Sequence, residues 1–192
     1  MENTAAIDFS LSSTGITVFN KVENYYKFYA ISKGFPKKHE NFIKSCLTDC
    51  IILKQDEIKD IIFYTNWVEN ILSILTTNNV KHIGIEGYSF NSISSSFTKI
   101  AEVTGILKFI LNNNHIEFDI IQPTSAKKLA GNGRYNKSDM FNAFLNNVLN
   151  DGLLINTDFY KNIKEENSNV KPLEDVIDSY FILKYLEQTF NT

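Results

Sequence analysis

The chain has 192 residues, of which 43% are hydrophobic, and its formal net charge is −3. This length suits one domain that buries apolar residues on both faces of a sheet, so we expect a single domain over residues 1–192. The negative charge excludes a protein that holds nucleic acid by bulk positive charge, and any contact with phosphates has to be local.

The cysteine content and the absence of apolar runs bear on the compartment. There are two cysteines, no signal-peptide pattern at the N-terminus and no apolar run long enough to span a bilayer. We therefore expect an intracellular, cytoplasmic protein of a bacterial or infected host cell, without contact with membranes. Cys46 and Cys50 lie four residues apart with His39 upstream, which leaves a metal clip and buried free thiols both open.

The first nineteen residues predict two strands and an unusual carboxylate. Residues 5–9 form an apolar run that contains Asp8, and residues 10–15 form a turn rich in Ser and Thr that includes Gly15. A β-branched run, residues 16–19, follows as a second strand. Because a charge in a buried strand is costly unless a cation meets it, Asp8 is a candidate metal ligand. An edge-strand or capping aspartate is the alternative.

The next fifty residues differ in how clearly they can be interpreted. Residues 25–31 predict a third strand and hence an antiparallel meander. Residues 32–54 predict either a short helix or an irregular excursion, and the basic turn at 34–39 is either a solvated loop or a phosphate contact. Apolar residues at helical spacing over 57–75 predict an amphipathic helix with Trp67 in the core.

A second carboxylate ends the following strand. Residues 80–88 are an apolar run in which Glu86 is followed by a glycine. Because a helix and then a strand come after the meander, we expect this strand to lie parallel to the first and beside it. Asp8 and Glu86 are then expected to meet at one end of the sheet.

The middle of the chain contains the candidate phosphate contacts. Residues 97–111 predict a helix in which Gly105 indicates either close approach by another backbone, such as a partner subunit, or simple tolerance. A short strand at 116–121 precedes a short helix over 123–131 and a basic, glycine-containing loop that leads into a further helix. The candidates for phosphate contact in this segment, with solvated turns as the alternative, are Lys127, Lys128, Arg134 and Lys137.

The C-terminal part adds two carboxylates. Residues 151–170 are polar and predict an irregular segment, after which Pro172 opens a helix over 173–186 with a broad apolar stripe. Asp175 and Asp178 are three residues apart and lie on one face of that helix. Glu174 points elsewhere and is a favourable charge in the first turn.

Together these carboxylates indicate a metal site. Asp8, Glu86, Asp175 and Asp178 can converge, and four such groups at contact distance repel one another and raise one another's pKa values unless divalent cations screen them. Ligation by oxygen alone suits Mg²⁺ or Mn²⁺. Two such ions roughly 3.5–4 Å apart can activate a water and stabilise the leaving 3′ oxygen in an in-line attack on a phosphodiester. No His, Cys or Ser arrangement competes as a nucleophile.

Five motifs, in this order along most of the chain, resemble the RuvC family of Holliday junction resolvases, especially its phage-encoded branch. They are I-D-x-S-x-x-x-T-G at 7–15, I-E-G-Y-S-F at 85–90, I-A-E-x-x-G at 100–105, P-T-x-x-K-K at 123–128 with Gly131, Gly133 and Lys137, and D-x-x-D-S at 175–179. The resemblance implies an α/β, RNase H-like fold: a five-stranded mixed sheet with its first three strands antiparallel, flanked by helices.

The resemblance also implies an activity and a site. It implies a homodimer that binds a four-way DNA junction and cuts two strands symmetrically, with two Mg²⁺ or Mn²⁺ ions per active site. The positions that match the metal ligands of the family are Asp8, Glu86, Asp175 and Asp178. Lys127 or Lys128, together with Lys137, match lysines that contact the DNA backbone near the cut.

An aromatic residue in the loop after the second carboxylate helps to open bases at the junction in such enzymes. Tyr88 or Phe90 takes that place here, and a core role for either is equally open. The sequence departs from the family in its longer 32–54 segment and in its negative net charge.

Three other functions fit parts of the pattern. An RNase H-like nuclease could act on forks, flaps or RNA–DNA hybrids, because fold and ions set the chemistry while the surface sets the substrate. An ATP-binding protein of the actin and sugar-kinase type shares the first hairpin, but this chain is short for its second domain. A non-catalytic interaction protein gains nothing from packed like charges.

Overall fold

The computed structural model describes residues 2–54, 60–88, 95–147 and 151–190, and its centre is one mixed sheet. The strands are β1 (Asn3–Phe9), β2 (Ser13–Asn20), β3 (Tyr25–Ser32), β4 (Asp49–Ile52), β5 (Val80–Glu86) and β6 (Glu117–Ile121). Their order in the sheet is β4-β3-β2-β1-β5-β6. β1 to β3 form the predicted antiparallel meander. The other three pairings are parallel: β4 with β3, β5 with β1, and β6 with β5.

Helices cover both faces of the sheet. They are α1 (Glu40–Cys46), α2 (Asp60–Thr77), α3 (Ser95–Asn113), α4 (Pro123–Ala130), α5 (Lys137–Asn147), α6 (Gly152–Ile155), α7 (Asp158–Glu166) and α8 (Leu173–Phe190). One face packs against α2 and α3, and the other against α8 with α1 and α4 to α7. Within the described ranges, none of these helices combines the length and the apolar character that a membrane span requires.

The predicted fold class is confirmed, with a sixth strand added. The extra strand, β4, lies at the sheet edge inside the segment whose pattern was unclear. It has four residues, and its two end residues are exposed, so no alternation marks it in the sequence. The backbone N–H of Thr48 donates to the carbonyl of Phe28 at 2.7 Å, which joins the start of β4 to β3.

The cysteines of that segment are free thiols. Cys46 is buried at the end of α1 and Cys50 is partly buried in β4. Burial is the main cause that raises the pKa of Cys46 to about 12 and that of Cys50 to about 11, so neither is a ready thiolate. In the described part of the chain, no group of three or more His, Cys, Asp or Glu side chains, these thiols included, is arranged to hold a metal ion.

The prediction of an irregular segment over 151–170 is wrong, because two short helices, α6 and α7, occupy it. Their apolar residues are buried on the α8 side of the sheet: Leu154, Phe159, Tyr160 and Ile163. Most of the polar residues of the segment are exposed, among them Asn156, Lys161, Lys164, Glu165, Glu166 and Asn167. A side-chain cap starts each helix, since Asp151 accepts from the N–H of Leu154 at 3.1 Å and Thr157 from that of Tyr160 at 3.2 Å.

Two predictions about individual packing residues have clear outcomes. Trp67 is fully buried, as predicted, and its indole N–H donates to the hydroxyl of Thr14 at 2.9 Å, which joins α2 to β2. Gly105 lies on α3 where, apart from the backbone of its own helix, an added Cβ would meet no atom of the described residues within 4 Å, so packing among those residues does not require a glycine there.

Candidate active site

Two of the four predicted carboxylates lie side by side at one end of the sheet. β1 and β5 are parallel with Ile7 opposite Ile85, so Asp8 and Glu86 occupy the next position on each strand. Asp8 is in a central strand and only 7% exposed, which excludes an edge-strand or capping role. The prediction that these two strands are parallel neighbours and that their ends meet is therefore confirmed.

Both carboxylates point to the face that α8 covers. Side chains alternate along a strand, and Ala6, two residues before Asp8, packs in the core beneath α8. Gly84, two residues before Glu86, faces Ile182 of α8, since an added Cβ would come 3.1 Å from that side chain. Asp8 and Glu86 are therefore on the same side as Asp175 and Asp178.

Gly15 brings the start of α8 down onto the sheet. It is paired with Asp8 in the antiparallel register, so it belongs to β2 and not, as predicted, to the preceding turn. A Cβ at Gly15 would lie 2.2 Å from the backbone carbon and oxygen of Asp175. Only a residue without a side chain allows this approach, which places the first turn of α8 directly above Asp8.

Further hydrogen bonds hold α8 in this position. Ser13 of β2 donates from its hydroxyl to Oδ2 of Asp175. One turn farther along the helix, the hydroxyls of Thr17 and Ser179 share a hydrogen bond of 2.7 Å, and both residues are buried. The helix start is thus fixed by the strand that pairs with β1.

The four carboxylates form one electrostatic cluster. The pKa of Asp8 is raised well above its ordinary value, first by burial and then by the negative charges of Glu86, Asp175 and Asp178. The pKa of Asp178 is raised to about 7, again first by burial, with Glu86 and Asp175 contributing and Lys137 opposing the shift. Mutual repulsion of this kind is what a divalent cation relieves.

Two lysines partly screen the cluster. Asp175 has only 2% of its side chain exposed and contacts Lys137 at 3.3 Å and Lys171 at 3.6 Å. Glu174 also pairs with Lys137, at 3.0 Å, so it is more than a first-turn charge. Burial alone would lower the pKa of Lys137, but Asp175 and Glu174 outweigh it and raise that pKa.

The position of Lys137 follows from the cap of α5. Asn136 and Asp139 exchange hydrogen bonds of 3.0 Å between side chain and backbone N–H, in the manner of a capping box. This arrangement fixes the first turn of α5, where Lys137 lies, beside the start of α8.

The chemistry of the donor set fits a divalent metal. Carboxylate oxygens alone suit Mg²⁺ or Mn²⁺, and burial, followed by the charges of Glu86, Asp175 and Asp178, raises the pKa of Asp8. Among the described residues, however, no three acidic or metal-ligating side chains are gathered as a ready-made site. The oxygens of Asp175 engage Ser13 and the two lysines.

The predicted DNA-contact residues differ in how close they lie to the carboxylates. Lys127 is near enough to lower the pKa of Asp178, and Lys137 contacts Asp175 directly. Lys128 and Arg134 are exposed, and no ion pair described for this chain joins either of them to the cluster.

The two predicted aromatic residues have different outcomes. Tyr88 is half-buried against α3, where its ring meets Phe97 edge-to-face at 5.3 Å and lies 5.9 Å below the ammonium of Lys108. Phe90 lies outside the described residues. Tyr88, two residues after Glu86, thus packs against two side chains of α3.

Sequence reasoning missed Ser13, Lys171 and the role of Gly15. One signal for Lys171 was available, since it precedes Asp175 by four residues, the spacing of a helical ion pair. Nothing in the spacing of Ser13 or Gly15 identifies their contacts with a residue 160 or so positions away, because these contacts exist only once the helix lies on the sheet.

The raised pKa of Asp178 predicts a stability that depends on pH. Its native pKa of about 7 exceeds its ordinary value of 3.8, so the native state binds more protons than the unfolded state between these values. In a chelator, the free energy of unfolding should therefore fall as pH rises from about 4 to about 7.

Thermal unfolding at pH 5 and pH 8 measures this effect. The drop in Tm should be clearly smaller for Asp178→Asn, which cannot ionise, and smaller for the native chain when Mg²⁺ is added. An equal drop in Tm for the native chain and for Asp178→Asn would show that the pKa of Asp178 is not raised.

The sheet order, with the last helix packed over β1 and β5, defines an RNase H-like fold. Thermus thermophilus RuvC, solved with a Holliday junction substrate, superposes with a TM-score of 0.63 at 9% identity, over 99% of this chain and 97% of that one. The fowlpox virus Holliday junction resolvase gives 0.52 at 17%, covering 97% and 99%. The yeast mitochondrial Holliday junction resolvase Ydc2 gives 0.57 at 14%, covering 99% and 82%.

The resemblance found in the sequence is thus confirmed at the level of the fold. No protein-family model and no curated protein matches the chain by sequence. At identities of 9% to 17%, similarity of structure establishes the architecture, and the function has to be argued from the site.

Proposed function

We propose that this chain is a metal-dependent endonuclease that resolves four-way DNA junctions by paired, symmetric nicks. One observation carries the proposal: Asp8 and Glu86 end adjacent parallel strands beneath the first turn of α8, where burial and the charges of Glu86, Asp175 and Asp178 raise the pKa of Asp8. The fold is shared, over nearly its full length, with Holliday junction resolvases of bacterial, viral and mitochondrial origin.

Mg²⁺ or Mn²⁺, two ions per site, would be held by these same four carboxylates. Such ions supply an activated water and stabilise the leaving 3′ oxygen during in-line attack on a phosphodiester. The protein's own contribution is to keep the carboxylates on one face, through the β1–β5 register and the close seat of α8 on Gly15.

The basic side chains beside the cluster bind the phosphate backbone in this proposal. Lys127 and Lys137 lie close enough to the carboxylates to receive the phosphate next to the cut, while the exposed Lys128 and Arg134 contact the backbone farther away. Tyr88, whose ring packs on Phe97 of α3, would stack on bases at the branch point. Such a local arrangement is compatible with a net charge of −3.

Paired cutting requires two active sites, so we propose that residues 1–192 act as one domain in a homodimer. Each protomer would cut one of two symmetry-related strands. Sedimentation of the protein with and without a junction tests this assembly: a dimer on each junction is expected, and one protomer on each junction would contradict it.

A panel of end-labelled substrates tests the proposed activity. Cleavage in Mg²⁺ or Mn²⁺ is compared for a four-way junction, a linear duplex, a replication fork and an RNA–DNA hybrid. We expect nicks on opposed strands of the junction only. If the hybrid or the fork were cut instead, the proposed metal site would stand, but the junction would be the wrong substrate.

Lys137→Ala is expected to weaken junction binding and to reduce its dependence on salt. One phosphate contact contributes a slope of about 0.9 in a plot of log K against log salt concentration, so the slope should fall by about that amount. Fluorescence anisotropy over a salt series measures it, with Lys161→Ala, in α7, as the control for a distant lysine. An unchanged slope would remove Lys137 from the DNA interface.

A further inference from the structure

Asp175 is the carboxylate of the cluster whose partners are most completely defined. It is 1% exposed as a residue, and both of its oxygens are engaged within the chain. Oδ1 is 3.3 Å from the ammonium of Lys137, whereas Oδ2 accepts from the hydroxyl of Ser13 and is 3.6 Å from the ammonium of Lys171. A metal ion that binds Asp175 needs these same oxygens.

From this geometry we propose that Lys171, together with Lys137, is an internal counter-ion of Asp175 that a divalent metal displaces, and that the displaced ammonium group then binds a DNA phosphate. Lys171 thus has two partners in turn, Asp175 in the metal-free protein and a DNA phosphate in the metal-bound complex. The inference rests on the proposed function as a metal-dependent nuclease, and it adds a coupling between the binding of metal and the binding of DNA.

The surroundings of Lys171 allow such an exchange of partners. Its side chain is 43% exposed and lies between α8 and the turn that joins β1 to β2, where its ammonium is 3.5 Å from the hydroxyl of Ser12. Glu174, which the proposal does not use as a metal ligand, lies 4.0 Å from Lys171 and 3.0 Å from Lys137. It keeps both ammonium groups at the edge of the site when Asp175 turns to the metal.

The exchange has a thermodynamic consequence. Metal binding frees positive charge for phosphate, and phosphate binding removes the ammonium groups that compete with metal, so each ligand strengthens the other. By linkage, the factor by which metal raises the affinity for DNA equals the factor by which DNA raises the affinity for metal. The two basic side chains therefore delay tight metal binding until DNA is present.

Calorimetric titration of Mn²⁺ into the protein without DNA tests the competition. Lys171→Met should bind Mn²⁺ about two- to fivefold more tightly than the native chain, which corresponds to the worth of a partly exposed ion pair. The double variant Lys137→Met/Lys171→Met should gain about tenfold, and Lys171→Arg should resemble the native chain. If Lys171→Met does not fold, Lys171→Gln, which also removes the charge, is titrated in its place.

Lys161→Met is the matched control. It removes the same charge from an exposed position on α7, where no described ion pair joins Lys161 to the cluster, so its Mn²⁺ affinity should change by less than about 1.5-fold. Equal gains for Lys161→Met and Lys171→Met would overturn the specific role of Lys171. If the native chain bound no Mn²⁺, the proposed metal site would fail, and the counter-ion role with it.

The second half of the inference is tested on junction DNA with Ca²⁺ at a fixed concentration, after gels have shown the junction to be intact. The slope of log K against log salt should be about 0.9 smaller for Lys171→Met than for the native chain with Ca²⁺, and equal in the two proteins with chelator. Equal slopes in both conditions would show that the displaced ammonium does not reach a phosphate.

Discussion

Asp8→Asn is expected to lower the rate of junction cleavage by about 10³-fold or more while the protein remains folded. A divalent metal stabilises the transition state of phosphodiester cleavage by several kcal/mol, and about 4 kcal/mol corresponds to that factor. Asparagine has nearly the shape of aspartate, but it is a poor metal ligand and does not ionise. Single-turnover cleavage of a labelled junction in Mn²⁺ measures the loss.

The same variant is expected to be more stable than the native chain when a chelator is present. Burial and three neighbouring carboxylates disfavour the charged form of Asp8, so a neutral side chain of the same size relieves the repulsion. Loss of activity with an unchanged or raised Tm identifies Asp8 as functional. Loss of both would mean that Asp8 is required for the fold, and full activity would exclude it as a ligand.

Gly15→Ala is expected to displace α8 and to destabilise the protein by about 3 kcal/mol or more. The added Cβ would lie 2.2 Å from backbone atoms of Asp175, and a backbone clash is not relieved by rotating a side chain. Because the shift moves Asp175 and Asp178 away from Asp8, cleavage should be lost together with stability. Denaturant unfolding and the cleavage assay measure the two effects.

Gly105→Ala is the matched control for that substitution. An added Cβ at this position in α3 meets nothing within 4 Å, and alanine is favoured over glycine in helices by roughly 0.5–1 kcal/mol. Gly105→Ala should therefore be neutral or stabilising to folding. If Gly15→Ala behaved in the same way, the close seat of α8 on β2 would be wrong.

Much of the site was predictable because its residues lie on regular elements. Asp8 and Glu86 each follow an apolar run, and two parallel neighbouring strands bring such ends together. Asp175 and Asp178 share a helix face by spacing alone. Periodicity and topology thus specify which faces meet.

The rest depends on contacts between distant parts of the chain. β4 is too short to show a period, and the apolar residues of α6 and α7 are diluted by polar neighbours, so their local patterns did not distinguish helix from irregular chain. Gly15 resembled a turn residue because Ser and Thr precede it, whereas its role is set by the backbone of α8. Such a requirement appears only when the two elements are packed.

The charge of the chain illustrates the same limit. A net charge of −3 excluded a protein that is basic over its whole surface, and that inference says nothing of where the charges lie. In the structure, Lys137 and Lys171 contact the most buried carboxylate of the cluster, and Lys127 affects Asp178. Local positive charge therefore accompanies the acidic residues at the site itself.

Digestion of a supercoiled plasmid that extrudes a cruciform tests the central claim most directly. A resolvase that makes paired nicks across a four-way junction converts the circle to a linear molecule in one binding event, whereas independent nicks give relaxed circles. We predict a linear product that requires Mg²⁺ or Mn²⁺, with both cuts at the cruciform and no linear product from Asp8→Asn. Relaxed circles alone, or no cleavage in either metal, would contradict the account.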